Sequence, residues 1–226
     1  MPRRLVLPYS LFTLVLHIAL APHDCLAAEP AADHAESEGG WVSLFNGEDL
    51  AGWRASENEG TFRVEDGVIV VHGPRSHLFY EGPVGGADFK DFEWKCDVKT
   101  TPGSNSGMYF HTEYQEEGWP VKGYEVQVNA THGDARKTGG LYAIEDVMDD
   151  APHEDGEWFT QHVVVRGKRI VVRVNGEVTT DFTEPEDHTP PEGKPGRLIS
   201  HGTFALQGHD PASKVYFKNL LVRPLD

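Results

Sequence analysis

The chain has 226 residues, with 36 acidic against 20 basic side chains and a formal net charge of −16 at neutral pH. Such a field repels nucleic acid and anionic membrane surfaces, so neither is expected as a partner. It suits a soluble protein with a neutral ligand, although charge kept for solubility alone has the same signature.

Met1-Pro2-Arg3-Arg4 is a short basic start, residues 5–21 are almost wholly apolar, and Cys25-Leu26-Ala27 sets small residues at a cleavage spacing. The pattern predicts a secretory signal peptide over residues 1–27 and a periplasmic or secreted destination. A membrane anchor is the alternative, but the apolar run is short for a span of about 20 residues. His23-Asp24 before Cys25 argues against a lipoprotein signal. No later segment is apolar enough to span a bilayer, so no membrane association is expected after cleavage. Cleavage leaves 18 bases and 35 acids, and leaves Cys96 as the one cysteine. That excludes an internal disulfide and a thiolate zinc site. Cys96 alternates with Phe92, Trp94 and Val98, which predicts a small buried hydrophobe. Residues 28–40 are polar and small, and predict a flexible leader.

From Trp41 to Asp226 the composition is uniform, enough chain for one domain with a sizeable core. Residues 61–64 and 68–72 flank Glu65-Asp66-Gly67, a hairpin signal, because Asp-Gly accepts the positive φ of a tight turn. Residues 92–98 alternate without a fault. Residues 107–113 and 122–129 continue the pattern. Residues 161–166, 168–174 and 177–182 form a meander turning at Gly167 and at Asn175-Gly176. Residues 203–207 and 214–222 close the domain. No segment sustains a helical period, and 15 prolines and 24 glycines punctuate the chain at the spacing of an all-β sandwich. Residues 184–197, rich in Pro and Glu, predict a surface loop.

Lys122 to Asn129 carries the functional signal. Tyr124, Val126 and Val128 fall on one face; Glu125, Gln127 and Asn129 fall on the other. In Gly107 to Glu113, Met108 and Phe110 oppose Tyr109, His111 and Glu113. Phe204 and Leu206 oppose Ala205, Gln207 and His209. If these polar rows share one face, a carboxylate, amides, a phenol and imidazoles converge on one groove suited to a sugar. Glu125, His111 and His209 are the catalytic candidates. Tyr109, Glu113, Gln127 and Gln207 are expected to bind substrate. The loop Thr131 to Gly140 adds His132, Asp134, Arg136 and Lys137 at the sheet rim, where binding groups concentrate; an ordinary charged hairpin loop is the other reading. Trp119 offers a stacking platform for a sugar, and Tyr142 can line the groove or pack in the core. Phosphate-loop, zincin, serine-hydrolase and calcium-loop patterns are all missing. No cofactor is expected, although a divalent metal held by His and carboxylates is not excluded.

Several segments together resemble one family. They are Leu44-Phe45-Asn46-Gly47-Glu48-Asp49-Leu50-Ala51-Gly52-Trp53, Asn105-Ser106-Gly107-Met108-Tyr109-Phe110, Gly123-Tyr124-Glu125-Val126-Gln127-Val128 and Thr138-Gly139-Gly140-Leu141-Tyr142. Gly156-Glu157-Trp158, Val174-Asn175-Gly176 and the stretch from Ala205-Leu206-Gln207-Gly208-His209-Asp210 to Val215-Tyr216-Phe217-Lys218-Asn219 follow in order. The ordered set is similar to the bacterial 3-keto-disaccharide hydrolase domain, over residues 41–226. The resemblance implies a concanavalin-A-like jelly roll of two curved antiparallel sheets, with the sugar on the concave face. It implies an oxidised, 3-keto sugar as substrate. The Glu-x-Gln at Glu125 and Gln127 is placed like the paired acids of β-glucanases of that fold. Its second member is an amide, which argues against a two-carboxylate retaining mechanism. A 3-ketone acidifies the proton on C2, so proton abstraction, elimination at C1 and hydration are expected instead. A non-catalytic carbohydrate-binding module of the same fold is the alternative. A monomer is expected.

Overall fold

The structure, a computed structural model, describes residues 36–37 and 39–225. The expected signal peptide and most of the expected leader lie outside the described residues. Residues 36–37 of that leader form a strand rather than free chain.

Sixteen strands are present among the described residues. They run β1 (Glu36–Ser37), β2 (Trp41–Ser43), β3 (Trp53–Ala55), β4 (Phe62–Glu65), β5 (Val68–Val71), β6 (Ser76–Tyr80), β7 (Phe92–Thr100) and β8 (Asn105–Thr112). Then follow β9 (Tyr124–Asn129), β10 (Arg136–Leu141), β11 (Glu145–Met148), β12 (Phe159–Arg166), β13 (Arg169–Val174), β14 (Glu177–Thr183), β15 (Thr203–Gly208) and β16 (Val215–Pro224). The protein is all-β, as expected, with two antiparallel sheets. One sheet runs β1-β2-β16-β7-β12-β13-β14, with β5 also on β16 and β4 beyond it. The other runs β11-β10-β9-β8-β15-β6-β3. Among the described residues no helix is long and apolar enough to cross a membrane.

Alternation builds the core between the sheets. Met108 and Phe110 of β8, Tyr124, Val126 and Val128 of β9, and Phe204 and Leu206 of β15 face inward. They meet Trp94, Cys96 and Val98 of β7 and Phe217 and Val222 of β16. The Trp94 ring stacks on Phe204 with centroids 4.4 Å apart. Each such side chain removed from water contributes about 1.5–3 kcal/mol. Inward placement of these residues leaves their neighbours in sequence on the opposite, outer face of the seven-stranded sheet.

Two sequence expectations fail on local geometry. The loop expected over residues 131–140 is strand from Arg136 onward, because β10 pairs with both β9 and β11. Alternation in β8 also stops before its end. Thr203 and Ala205 of β15 pair with Thr112 and Tyr109, so three steps on β8 face two on β15. The extra residue forms a bulge in which His111 takes φ +54°. That turns His111 off the face that Tyr109 occupies.

Candidate active site

The outer face of the seven-stranded sheet carries the polar rows in register. His77 pairs with Gln207, and Gly107 with Gln127, so these four cross β6, β15, β8 and β9 as one row. The neighbouring row holds Ala205, Tyr109 and Glu125. Over these rows lies a groove of about 540 Å³, lined among others by Asn105, Tyr109, Glu125, Gln127, Gln207 and His209. Trp119, Asp134 and Tyr142 add walls. A second hollow, of about 430 Å³, lies over the nine-stranded sheet. There Asp97 already accepts hydrogen bonds from Thr160 and Asn219, both at 2.7 Å, so its acid is committed.

Glu125 is buried at the groove floor. Its Oε2 accepts from Arg197 Nη2 at 3.0 Å and its Oε1 from Gln207 Nε2 at 3.0 Å. Gln207 Nε2 also lies 3.0 Å from the Tyr109 hydroxyl, so one amide bridges the phenol and the carboxylate. Burial first, and then the Glu125 charge, push the Tyr109 hydroxyl well above its ordinary range, so it stays protonated. The carboxylate occupies its position because residue 107 is glycine. A Cβ there would lie 2.7 Å from Glu125 Oε1 and 3.1 Å from its Cγ. The Arg197 pair is 4% and 6% exposed by side chain, so removing either member strands a buried charge, at a cost of about 3–5 kcal/mol.

Several buried groups on this face find no hydrogen-bond partner among the described residues. They are Gln127 Oε1, Gln207 Oε1, Asn105 Oδ1 and both ring nitrogens of His77. His77 sits edge-on to Tyr109 and to Trp119, at 5.3 and 5.6 Å between centroids. Burial lowers its pKa to about 3, so it is neutral, with one N–H and one lone pair to offer. Each orphaned polar group costs about 1–3 kcal/mol. A polyhydroxylated ligand supplies the donors and acceptors they lack.

Other sequence candidates sit elsewhere. His111 does not reach the groove: its Nε2 bonds to Lys90 O at 2.8 Å and its Nδ1 accepts from Ser200 N at 3.3 Å. Its ring packs against Phe92 and Phe110, so it closes an end of the core. Glu113 lies just beyond β8, exposed, paired with Lys122 at 3.1 Å. Lys137 donates to the carbonyls of His132 and Asp134 at 3.0 and 2.9 Å, and so holds the β9–β10 turn together. Arg136 is tied to Asp146 at 3.1 Å and lies over the Tyr142 ring. His132 stands at the rim, its ring 5.4 Å from His209. The ligand atoms of His132, His209 and Asp210 all lie within 4.8 Å of one another, a group of His and acid side chains among the described residues that could hold a metal.

Sequence reasoning missed the segment it assigned to a surface loop. Glu184 pins that segment at both ends, accepting from Tyr124 Oη at 2.5 Å and from Ile199 N at 2.7 Å. Lys122 bridges to Gly196 beside it. Arg197 thereby enters the groove floor, donating to Gly123 O at 2.9 Å as well as to Glu125. Lys194 lines the groove too, its ammonium 4.7 Å from the Tyr142 ring centroid. Burial, reinforced by Arg197, lowers the Lys194 pKa. The one signal was a Lys and an Arg around Pro195-Gly196 in an otherwise acidic stretch.

A profile of the 3-keto-alpha-glucoside-1,2-lyase-like domain matches residues 40–223. The 3-keto-disaccharide hydrolase of Bacteroides thetaiotaomicron is 24% identical over 169 residues, a match covering 63% of this chain and 58% of that protein. The chain thus spans little more than half the length of this curated relative. A crystal structure from Parabacteroides distasonis that bears a provisional glycosyl hydrolase name is 27% identical, with a TM-score of 0.71, over 86% of this chain and all of that one. The exoplasmic/lumenal domain of VIP36, in a form bound to Ca²⁺ and Man3GlcNAc, shares the fold at 10% identity and a TM-score of 0.52. That match covers 79% of this chain and 87% of that one.

Proposed function

Because the chain belongs to the 3-keto-alpha-glucoside-1,2-lyase-like domain family, we propose that it cleaves 3-keto-glycosides, after export, by elimination and hydration. The observation that carries this reading is the buried Glu125 carboxylate, clamped by Arg197 and Gln207 under a groove of orphaned polar groups. A lectin groove needs hydrogen bonds and an aromatic wall. It has no requirement for a group poised to take a proton.

In the first step Glu125 takes the proton from C2 of the sugar, and the C–H electrons form an enolate with the C3 carbonyl. In the second the enolate collapses, C3=O returns, a C1=C2 double bond forms and the C1–O bond to the leaving group breaks. Lys194 protonates the leaving oxygen; its lowered pKa eases the transfer. Water then adds at C1 and a proton returns to C2, which gives net hydrolysis. Gln127, Gln207 and His77 hold the ring hydroxyls, and Trp119 walls the sugar face.

The test is NMR of the products formed from a 3-keto-glucoside in D2O. Deuterium at C2 is expected. Cleavage with protium retained at C2 would exclude proton abstraction there. Calorimetry with a disaccharide and its 3-keto form is the companion measurement, and tight binding of both without turnover would instead make the chain a binding module.

A further inference from the structure

Water that adds at C1 must lose a proton, and one end of the groove holds a group to take it. His209 lines the groove, and its Nδ1 lies 2.6 Å from Asp210 Oδ2. Burial opposes ionisation of Asp210, but bonds from His209, Ser213 and Ala212 hold its carboxyl below the ordinary range. An ionised carboxylate only accepts, so His209 Nδ1 carries the proton and Nε2 the lone pair. Asp210 is fixed in turn: Oδ1 accepts from Ala212 N and Ser213 N at 2.7 and 3.1 Å, and Oδ2 also accepts from Ser213 Oγ at 2.9 Å. A carboxylate that holds an imidazole in one tautomer, with the far nitrogen free, is the arrangement that makes histidine a general base.

The other groups within reach are committed. His132, its ring 5.4 Å from that of His209, spends its Nδ1 lone pair on Asp134 N at 3.1 Å. Glu125 is protonated once elimination is done. Lys194 stands beside Tyr142 on the β10 side, whereas His209 follows β15, and β9 and β8 lie between. His209 Nε2 itself has no hydrogen-bond partner among the described residues. Gln207, two residues before His209, touches Glu125 Oε1 at 3.0 Å. Two residues of extended chain span about 7 Å, room for the C1–C2 bond of a sugar and one water between carboxylate and imidazole.

We propose that His209, oriented by Asp210, is the base that activates water for the hydration step, which makes this chain a hydrolase rather than a lyase that releases an unsaturated sugar. This role rests on the 3-keto reading. His209 Nε2 takes a proton from water, and the water oxygen bonds to C1 of the unsaturated 2-hydroxy-3-ketone. The C1=C2 pair moves to C2–C3 as C3=O opens to the enolate oxygen. The enolate then takes the proton that Glu125 holds, at C2, and C3=O is restored. The imidazolium returns its proton through solvent to Lys194, which gave one to the leaving oxygen. Asp210 is a positioning residue.

The experiment supplies the unsaturated 2-hydroxy-3-ketone directly and follows loss of its conjugated-ketone ultraviolet absorption. In parallel, NMR reads the early ratio of unsaturated to hydrated sugar formed from a 3-keto-glucoside. His209→Ala should slow hydration by about 10²–10⁴-fold. Asp210→Asn keeps an acceptor for the Ala212 and Ser213 amides but frees the tautomer, and should slow hydration by about 10²-fold. In both variants the ratio should shift toward the unsaturated sugar. Partial misfolding lowers both steps together and does not move that ratio; His209→Gln replaces the alanine variant if it fails to fold. Hydration no faster with the parent than in buffer, or equal ratios in parent and His209 variants, overturns the role and leaves the elimination standing. Hydration that depends on His209, with 3-keto-glucosides left uncleaved, supports the role and removes the proposed function.

Discussion

The outer faces of the two sheets are built by the same alternation, yet they treat polar groups oppositely. On the nine-stranded sheet, Glu93 is tied to Arg223 at 2.5 Å and to His162 at 3.0 Å. Lys95, Lys99 and Lys218 lie over the rings of Trp41, Tyr216 and Trp158. There the polar groups mostly satisfy one another, with Arg223 Nε the exception. On the seven-stranded sheet, Glu125, Gln127, Gln207 and His77 are nearly as buried as the core, and several of their atoms go unmatched. A face that a folded chain leaves unsatisfied at a cost of about 1–3 kcal/mol per group is one that a ligand completes. Substitution on the first face should therefore be felt in stability alone, and on the second in activity as well.

The sharpest way to break that contrast is Glu125→Gln, which keeps the shape and removes the base. Turnover of a 3-keto-glucoside should fall by about 10²–10⁴-fold in steady-state assays. Full activity would remove Glu125 from the chemistry. Next comes Gly107→Ala. The new Cβ displaces the carboxylate while leaving every ionisable group in the chain, and kcat should fall by about 10²-fold, since an ångström of misplacement costs that much.

His77 sharpens the comparison through pH. Its folded pKa of about 3 lies below the ordinary 6.5, so between those values the unfolded chain binds a proton that the folded protein does not. Its contribution is constant above pH 6.5. Below it, stability declines by about 1.4 kcal/mol per pH unit down to about pH 3. Denaturant melts of His77→Gln across pH 7 to 4 should show a shallower decline than the parent; parallel curves would place the titration elsewhere.

The smallest effect is expected on the other face. Glu93→Gln should cost about 1 kcal/mol in urea melts at pH 7 and leave turnover unchanged. Burial opposes ionisation of Glu93, but Arg223 and His162 hold its pKa below 4.5. The stabilisation is thus complete above that value, and the gap between variant and parent should close as pH falls below it. A loss of activity in Glu93→Gln would erase the distinction between the faces.

Alternation made most of the fold and half of the groove legible. Glu125, Gln127, Tyr109 and Gln207 share a face because strand residues two apart point the same way, and the core residues between them left no choice of register. His111 obeyed that parity in sequence and broke it in space. One inserted residue flips a side chain, and the bulge exists only because β15 pairs out of step with β8. Short strands such as β3 and β6 escaped notice for a related reason: a few residues carry too little pattern until neighbours pair with them.

Local chemistry along the chain decided that this protein is a sandwich with an acid in a polar row, since period-two burial is a property of each strand by itself. Contacts between distant segments decided what that acid touches. Arg197 reaches Glu125 across 72 positions, and Asn105 meets His132 across 27. Such meetings are set by how loops close over a finished sheet. Their cost is paid in chain entropy and recovered only after packing, so no window of sequence contains them.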